Sequence, residues 1–445
     1  MSILEQSVWS EAAAQLLACC ILIPPLGNTT EDENMRKLLL PHIIHVQECQ
    51  KSIEQRMKDN RMSRMKPWPV FDGSFNKERA LMYAKFSMVY SQNGVWDEAK
   101  RLQSVVKDFT MKVLGIQHAT TRRVTLALSR TMYLLGQSDD AATLQKQVLD
   151  ACTVYKGAND LETLVAKSVL GESRFMQGRL SDAKQLLEEA VADLTRYHGP
   201  DHEETLNAID KLGLSLVMFH TKESMDRARD LHLTAAEGMK RVHGHDHLRT
   251  LEAIEHLCLD AVHSHNYLHL EEAHEMMLEI LETRRRKLGR EHAYTLLAMV
   301  NLAQIKRELG GLKDAEELIQ LALLVGKRNL GDGHIAYLWA RYLLGQIWVR
   351  QERWEEAEQL FVDVTHRQQS LLHGRGRYHP DRLGGLVELT TVYNALGNEE
   401  ERDKIADEAL DGFDKISRTE HPLARRLRED KERWNKNKKS KSSGT

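Results

Sequence analysis

The stretch Leu288-Gly-Arg-Glu-His-Ala-Tyr-Thr-Leu-Leu-Ala-Met-Val-Asn-Leu-Ala303, followed by Gly310-Gly-Leu-Lys-Asp-Ala-Glu-Glu-Leu318, is one copy of a unit that recurs along this 445-residue chain. An alanine marks the same point in seven copies: Ala99, Ala141, Ala183, Ala228, Ala273, Ala315 and Ala357. The steps between these alanines are 42, 42, 45, 45, 42 and 42 residues. A regular period of this size is typical of a solenoid of stacked repeats.

Two further positions indicate that each unit is a pair of helices. A small residue precedes the alanine by 12 or 15 positions: Ser87, Ser129, Gly171, Gly213, Cys258, Ala303 and Gly345, with Thr390 in the last copy. An apolar residue follows each alanine by seven positions, which places both on one face of a helix. Because neither short helix would be stable alone in water, we expect the helices to stack and bury these faces.

The unit resembles the tetratricopeptide repeat (TPR) in its kinesin-light-chain-like form. The residues that match are the Leu-Gly-x-x-His…Thr-Leu segment from Leu288 to Leu296, Asn301-Leu-Ala303, the turn at Gly310 and Asp314-Ala-Glu316. The resemblance implies an all-α protein, a right-handed TPR superhelical solenoid. It would contain about eight helical hairpins of 42 residues and a diverged N-terminal hairpin.

The register divides the chain into four segments. We predict a diverged N-terminal hairpin at 1–58, a basic linker at 59–76, eight kinesin-light-chain-like repeats at 77–430 and a disordered basic tail at 431–445. A docking segment is the alternative for the linker. Residues 12–42 are similar to the first repeat of fungal proteins that join a nucleotide-binding NB-ARC module to such repeats. The chain has no Gly-x-x-x-x-Gly-Lys-Ser/Thr loop, so we expect no ATP-driven switch.

Charge and composition narrow the partners and the compartment. The chain has 62 basic and 65 acidic residues, a balance that favours neither nucleic acid nor an anionic membrane as a partner. No secretory signal is recognised, no apolar run is long enough to span a bilayer, and the five cysteines lack framework spacing. We expect a cytoplasmic protein, and the basic C-terminal tail leaves a nuclear location open.

Catalytic motifs are missing from the sequence. Neither Gly-x-Ser-x-Gly nor His-Glu-x-x-His occurs, so we predict no enzymatic activity, no catalytic residues and no cofactor. Histidine is concentrated between 232 and 274, where nine of the 21 lie. His243-Gly-His-Asp-His247 is a candidate for a metal site or a pH-sensitive patch. We favour a third interpretation, in which His247 occupies the repeat's own histidine position, and we assign no metal ligand.

The first helix of each hairpin is the best candidate for a binding surface, because in this repeat class it lines the inner face. Its inward positions, the predicted peptide-binding groove, are Arg123, Arg130, Glu172, Asn207, Lys211, Asn301, Gln304, Arg307, Gln346, Arg350 and Asn394. The resemblance implies that Asn301 faces a bound peptide. The predicted function is a protein-interaction scaffold, like the ligand-sensing repeats of fungal NB-ARC proteins, and the alternative is a kinesin-light-chain-like cargo adaptor. Arg307 and Arg350 favour an acidic protein or peptide partner.

Overall fold

The computed structural model describes residues 2–22, 30–59, 75–177, 179–219, 221–264, 267–329, 335–371, 380–415 and 422–442. These ranges contain helices and connecting turns, and no strand. They form two compact units, Met1–Met132 and Tyr133–Thr445. Most of the predicted linker at 59–76 lies outside the described residues, as does the loop at 372–379. None of the described helices is long and apolar enough to cross a membrane.

Unit 1 consists of five helices. They are α1 (Ile3–Cys19), α2 (Thr30–Asp59), α3 (Lys77–Gln92), α4 (Trp96–Leu114) and α5 (Ala119–Leu134), of which α5 ends two residues beyond the unit boundary. A capping box between Ser2 and Glu5 begins α1. Ile43 of α2 and Phe86 of α3 are fully buried in one apolar core. The helices α1 and α2 cover the residues for which we predicted a diverged hairpin.

The helices of unit 2 are α6 (Ser138–Tyr155), α7 (Leu161–Met176), α8 (Leu180–His198), α9 (Glu203–Val217), α10 (Lys222–His243), α11 (Leu248–Ser264), α12 (Tyr267–Leu288), α13 (Ala293–Glu308), α14 (Leu312–Asn329), α15 (Ile335–Arg350), α16 (Trp354–Leu371), α17 (Pro380–Ala395), α18 (Glu399–Lys415) and α19 (Pro422–Ser442). The unit begins with α6, continues as six helix pairs from α7 to α18, and ends with one further helix. We call α7, α9, α11, α13, α15 and α17 the A helices of the hairpins. The B helices are α8, α10, α12, α14, α16 and α18.

The Gly…His…Thr spacing of the repeat builds the connection from a B helix to the next A helix. Gly199 has φ 93°, a left-handed conformation that favours glycine. The Thr205 hydroxyl donates a 2.8 Å hydrogen bond to the Gly199 carbonyl, and His202 caps α9 by accepting from the backbone N–H of Glu204. The same Thr-to-Gly bond recurs at Gly157 with Thr163, Gly244 with Thr250, and Gly289 with Thr295. The repeat's own histidine is therefore a helix cap at this position.

Where the small residue of an A helix is glycine, it receives a side chain from the B helix of the same hairpin. An added Cβ on Gly171 would lie 2.7 Å from Leu187, and one on Gly345 would lie 2.6 Å from Phe361. The incoming residue is always four positions after the repeat alanine. We call this the core-contact position, because its side chain fills the space that the small residue leaves. The small position thus has a packing role.

The C-terminal segment differs from the expected disordered tail. Helix α19 continues to Ser442, eleven residues past the predicted start of disorder at 431. Trp434 packs against the apolar core, and the guanidinium of Arg402 lies 4.3 Å from the centre of its ring. Arg402 occupies the repeat position that alanine fills in other copies, so this cation–π contact replaces an apolar contact.

Candidate functional site

A continuous set of polar contacts joins the A helices of unit 2. Each contact links side chains 39 to 46 residues apart, which is one repeat. The pairs are Glu172 with Lys211, Asp210 with His256, Glu255 with Asn301, Arg307 with Gln346, Glu308 with Arg350, and Gln346 with Glu388. We call this set the polar ladder. It brings together many of the predicted groove residues, although most of them contact one another.

Asn301 forms the step of the polar ladder between α11 and α13. Its amide nitrogen donates to Glu255 at 2.8 Å, and Arg284 of α12 donates to the other oxygen of Glu255 at 2.6 Å. Burial would lower the pKa of Arg284, but Glu255 outweighs burial and raises it. Among the described residues, none donates a hydrogen bond to the Asn301 amide oxygen. Asn301 is therefore oriented by Glu255 and retains an open acceptor.

Arg307, Glu308 and Arg350 form the step between α13 and α15. Arg307 donates to Glu308 at 2.7 Å, and Arg350 donates to the same carboxylate at 2.9 Å and to the Arg307 carbonyl at 3.1 Å. Burial would raise the pKa of Glu308, but the two guanidinium groups hold it below its usual range. Arg307 is only 7% exposed, whereas the side chain of Arg350 is 45% exposed. Thus Arg350 is the accessible cation, and Arg307 is a buried structural one.

Glutamine side chains occupy two further groove positions. Gln346 of α15 donates to Glu388 at 2.9 Å and to the Tyr342 hydroxyl at 3.1 Å, and it accepts from Arg307. Gln304 lies one turn after Asn301 and is largely buried. Within the described parts of the chain, its amide group makes no hydrogen bond. Gln304 differs in this from Gln346, whose amide group has three partners.

The remaining groove residues lie on α5, α9 and α17. Lys211 is 2.6 Å from Glu172, Asn207 donates to Glu204 at 3.3 Å, and Asn394 accepts from Arg402 at 3.1 Å. Arg123 and Arg130 are exposed on α5 of unit 1.

The contact between α9 and α11 is made by imidazole and carboxylate groups. Nδ1 of His256 is 2.9 Å from Asp210, and Nδ1 of His232 on α10 is 2.7 Å from Asp260. Burial would lower the pKa of His256, but Asp210 outweighs burial and raises it to about 9. Ligand atoms of Asp210, His232 and His256 all lie within 4.8 Å of one another. No motif in the sequence predicts this cluster, and its one sequence signal is that His232 lies four positions after Ala228, where a core residue is expected.

The sequence candidate His243-Gly-His-Asp-His247 is arranged differently. The rings of His243 and His247 stack with 4.3 Å between their centres. Nδ1 of His247 accepts from the backbone N–H of Arg249 at 3.3 Å. Burial and the neighbouring His243 lower the pKa of His247. The observed role of His247 is the helix-capping role that His202 has in the preceding repeat.

An open cleft of about 380 Å³ lies between α6 and the end of α7. It is lined by Asp139, Ala142, Thr143, Lys146, Gln147, Asp150, Arg174 and Gln177. Gln177 links the two walls by donating to Asp139 at 2.7 Å, and Lys146 forms an ion pair with Asp150 of the same helix at 3.3 Å. The cleft shares no residue with the polar ladder, and its shape and polar lining offer no apolar anchor for a ligand.

Family models agree with the repeat architecture at two places in the chain. Models of the tetratricopeptide repeat match residues 163–204 and 298–369. Among curated proteins, no match was found. The Rap protein complexed with Competence and Sporulation Factor is 15% identical, with 81% of this chain and 99% of that chain covered and a TM-score of 0.47. NprR with its cognate peptide NprX is 15% identical, with 67% and 82% covered and a TM-score of 0.47. BtubC (BKLC) from P. vanneervenii is 15% identical, with 53% and 92% covered and a TM-score of 0.40.

Proposed function

Because this chain is a tetratricopeptide-repeat protein, we propose that it is a non-enzymatic interaction scaffold that binds a partner protein or peptide on the polar ladder. The A helices present this surface in every hairpin of unit 2. Stacked repeats of this kind create extended surfaces rather than enclosed pockets. We therefore infer that the polar ladder recognises another polypeptide chain. We assign no catalytic role to its residues.

The observation that supports this proposal is the unused hydrogen-bonding capacity between α13 and α15. The amide oxygen of Asn301 is open, the amide of Gln304 is unpaired among the described residues, and the guanidinium of Arg350 is 45% exposed. Neighbouring carboxylates hold Asn301 and Arg350 in place, so less side-chain entropy is lost when a partner binds. An extended peptide backbone offers both donors and acceptors for such groups.

The local charge balance refines the expected chemistry of the partner. Glu308 contacts both Arg307 and Arg350, so this step of the ladder carries one net positive charge. A single partner carboxylate at Arg350 would balance that charge, whereas a run of acidic residues would meet Glu255 and Glu388 on the neighbouring steps. We therefore propose a mixed polar peptide with one acidic side chain at this point.

The other groove residues extend the proposed surface along the A helices. Asn207 and Lys211 would contact parts of a partner that lie toward α7, and Asn394 would contact parts that lie toward α17. Glu172 and Gln346 would act mainly by orienting their neighbours, since both already have partners in the ladder. Arg123 and Arg130 remain candidate binding residues of unit 1.

The proposal can be tested with peptides selected from a random display library against the whole chain. The affinity of each selected peptide would be measured by fluorescence anisotropy for wild type, Arg350→Glu and the double variant Asn301→Ala/Gln304→Ala. Loss of a hydrogen bond to a charged group costs about 1.5–3 kcal/mol, so we expect Arg350→Glu to bind at least tenfold more weakly.

A matched control is Arg286→Glu on α12. Arg286 is an exposed arginine in an ion pair with Asp246, but it lies on a B helix outside the ladder. We expect this variant to retain wild-type affinity within about twofold, because an exposed ion pair contributes little. Equal binding of the selected peptides to wild type, Arg350→Glu and the double variant would place recognition elsewhere on the chain.

A further inference from the structure

His232 introduces an imidazole at a position that the other hairpins from α7 to α16 fill with apolar side chains, although α6 has the buried polar residue Gln145 there. It stands at the core-contact position, four residues after Ala228, and is fully buried. The equivalent residues in the other hairpins from α7 to α16 are Leu187, Met277, Ile319 and Phe361, all fully buried. A polar group in such a place costs free energy unless its atoms are bonded. Packing alone therefore does not explain this histidine.

Asp260 is the second departure from the repeat pattern. It lies two residues after the small position of α11 and is largely buried. The equivalent residues in the other A helices are Ser173, Ser215, Ile305, Ile347 and Val392, and all are buried without charge. Asp260 accepts the Nδ1 proton of His232 at 2.7 Å. Both exceptions therefore occur in one hairpin junction and contact each other.

This pairing orients the ring of His232. Nδ1 donates to Asp260, and Nε2 is buried with no hydrogen-bond partner among the described residues. An added Cβ on Gly213 would lie only 2.4 Å from Nε2, so the imidazole packs closely against this glycine. A histidine oriented by a carboxylate, with its other nitrogen free, is the usual arrangement of a metal-ligating imidazole.

Two more donors surround this nitrogen. Asp210 of α9 and His256 of α11 contact each other at 2.9 Å, and the His256 and His232 ring centres are 5.8 Å apart. The three residues each offer one ligand atom within 4.8 Å of the other two. Their side chains come from α9, α10 and α11, so the site is assembled only when two neighbouring hairpins stack.

We propose that Asp210, His232 and His256 bind one Zn²⁺ ion, with Asp260 as the positioning carboxylate of His232. Two imidazole nitrogens and one carboxylate oxygen form a donor set that zinc uses, with solvent in a fourth position. Zinc bonds of about 2.0–2.2 Å fit this cluster after small side-chain rotations. The ion takes the place of the proton shared by Asp210 and His256, which passes to solvent. The charges of Zn²⁺, Asp210 and Asp260 sum to zero.

The test uses the full chain after removal of metal with a chelator. Zinc would be added at micromolar concentration and, after dialysis, bound metal would be counted by elemental analysis. Cobalt(II) would be added in a parallel sample, because tetrahedral coordination produces intense visible absorption. We expect one zinc per wild-type chain and a zinc-dependent rise in melting temperature, since a ligand that binds only the folded state stabilises it.

Substitutions that are designed to keep the fold locate the bound ion. His232→Met/Asp260→Ile copies the apolar residues that the next repeat has at these positions, and Asp210→Asn and His256→Gln remove one donor each. His269→Gln is the matched control, because it removes an α12 imidazole that contacts Arg229 outside the cluster. His243→Gln tests the stacked histidines. We expect loss of zinc and of the cobalt absorption in the first three variants and retention in the two controls.

The proposal is overturned if wild type retains no zinc, if His232→Met/Asp260→Ile and His256→Gln retain it as wild type does, or if only His243→Gln loses it. Circular dichroism of each variant separates loss of a ligand from loss of fold. Should the double variant unfold, His256→Gln decides on its own, because this residue lies at the edge of the core.

Discussion

Two successive core layers of unit 2 occupy equivalent repeat positions, but one is polar and the other is apolar. In the layer at α9, α10 and α11, Gly213 and His232 are in contact, and His232 is bonded to Asp260. Forty-five residues later, the equivalent positions hold Cys258, Met277 and Ile305, and all three are fully buried. The repeat backbone therefore accepts either an apolar layer or a polar one. The polar layer requires that a carboxylate and an imidazole occur together, because either alone would be buried without a partner.

The polar ladder shows the same contrast on the A-helix face. Asp210 contacts His256, and one repeat later Glu255 contacts Asn301 at the same separation of 46 residues. In the first pair the carboxylate meets an imidazole, and in the second it meets an amide that retains an open acceptor. We propose an ion as the ligand of the first junction and a polypeptide as the ligand of the second. The repeat register places both contacts, and residue identity decides what each contact can bind.

The largest effect is expected from Met277→His, which transfers the imidazole to the apolar layer without its carboxylate. Loss of the buried thioether and burial of an unpaired polar group should lower the free energy of unfolding by about 4 kcal/mol. Chemical denaturation of the purified chain measures this change. Adding Ile305→Asp should recover part of the loss. If Met277→His costs less than about 1 kcal/mol, the two layers do not differ in the way we infer.

Asp260→Ala tests the polar layer by removing the carboxylate that bonds His232. It leaves the Nδ1 proton of His232 buried and unbonded, so we expect a loss of about 3 kcal/mol in the free energy of unfolding. The matched variant is His232→Met/Asp260→Ile, which removes both polar partners and should be close to neutral or stabilising, as for other buried pairs replaced by apolar groups. Equal losses in the single and double variants would contradict the idea that Asp260 compensates His232.

Gly213→Ala examines the close contact beneath the imidazole. The new Cβ would lie 2.4 Å from Nε2 of His232, so the ring must shift and stability should fall by about 2 kcal/mol. Gly311→Ala serves as control, because its nearest contact would be 3.4 Å from a backbone oxygen. Thermal unfolding of both variants provides the comparison. A Gly213→Ala midpoint equal to that of wild type would mean that His232 does not occupy this space.

The smallest effect is expected from Arg350→Ala on the ladder. Its ion pair with Glu308 is partly exposed, so we expect a change in stability of about 0.5 kcal/mol or less. Arg307→Ala should cost more, about 2 kcal/mol, because Arg307 is buried and also bonds Gln346. Urea denaturation distinguishes the two. Similar losses for both arginines would show that Arg350 has a structural rather than a ligand-facing role.

Much of the fold was predictable from residues close together in the sequence. The Gly199 turn, the His202 cap and the Thr205 hydrogen bond all lie within seven residues, so their spacing alone indicates the connection between two helices. The small position of each A helix was also predicted, and its contact with the B helix of the same hairpin is confirmed at Gly171. These features depend on local backbone geometry, which recurs whenever the period recurs.

The side-chain partners were harder to predict, because they lie on different helices. The register placed Arg307 on the inner face, but its burial depends on Glu308 and on Gln346 of the next hairpin. The composition of the tail from residue 431 predicted disorder. Instead, α19 continues through it to Ser442, and Trp434 packs against the core. In each case one long-range contact outweighs a local preference, since burial of a large side chain exceeds the small energies of local propensity.

The amino-acid sequence by itself determined the period, the helical hairpins and the positions that face the core, because these follow from spacing along one chain. Only the tertiary structure decided which polar groups meet. Asp260 reaches His232 across 28 residues, and His256 reaches Asp210 across 46. Hydrogen bonds tolerate errors of only a few tenths of an ångström. The stacking of neighbouring hairpins sets distances to that accuracy, and a repeat pattern does not.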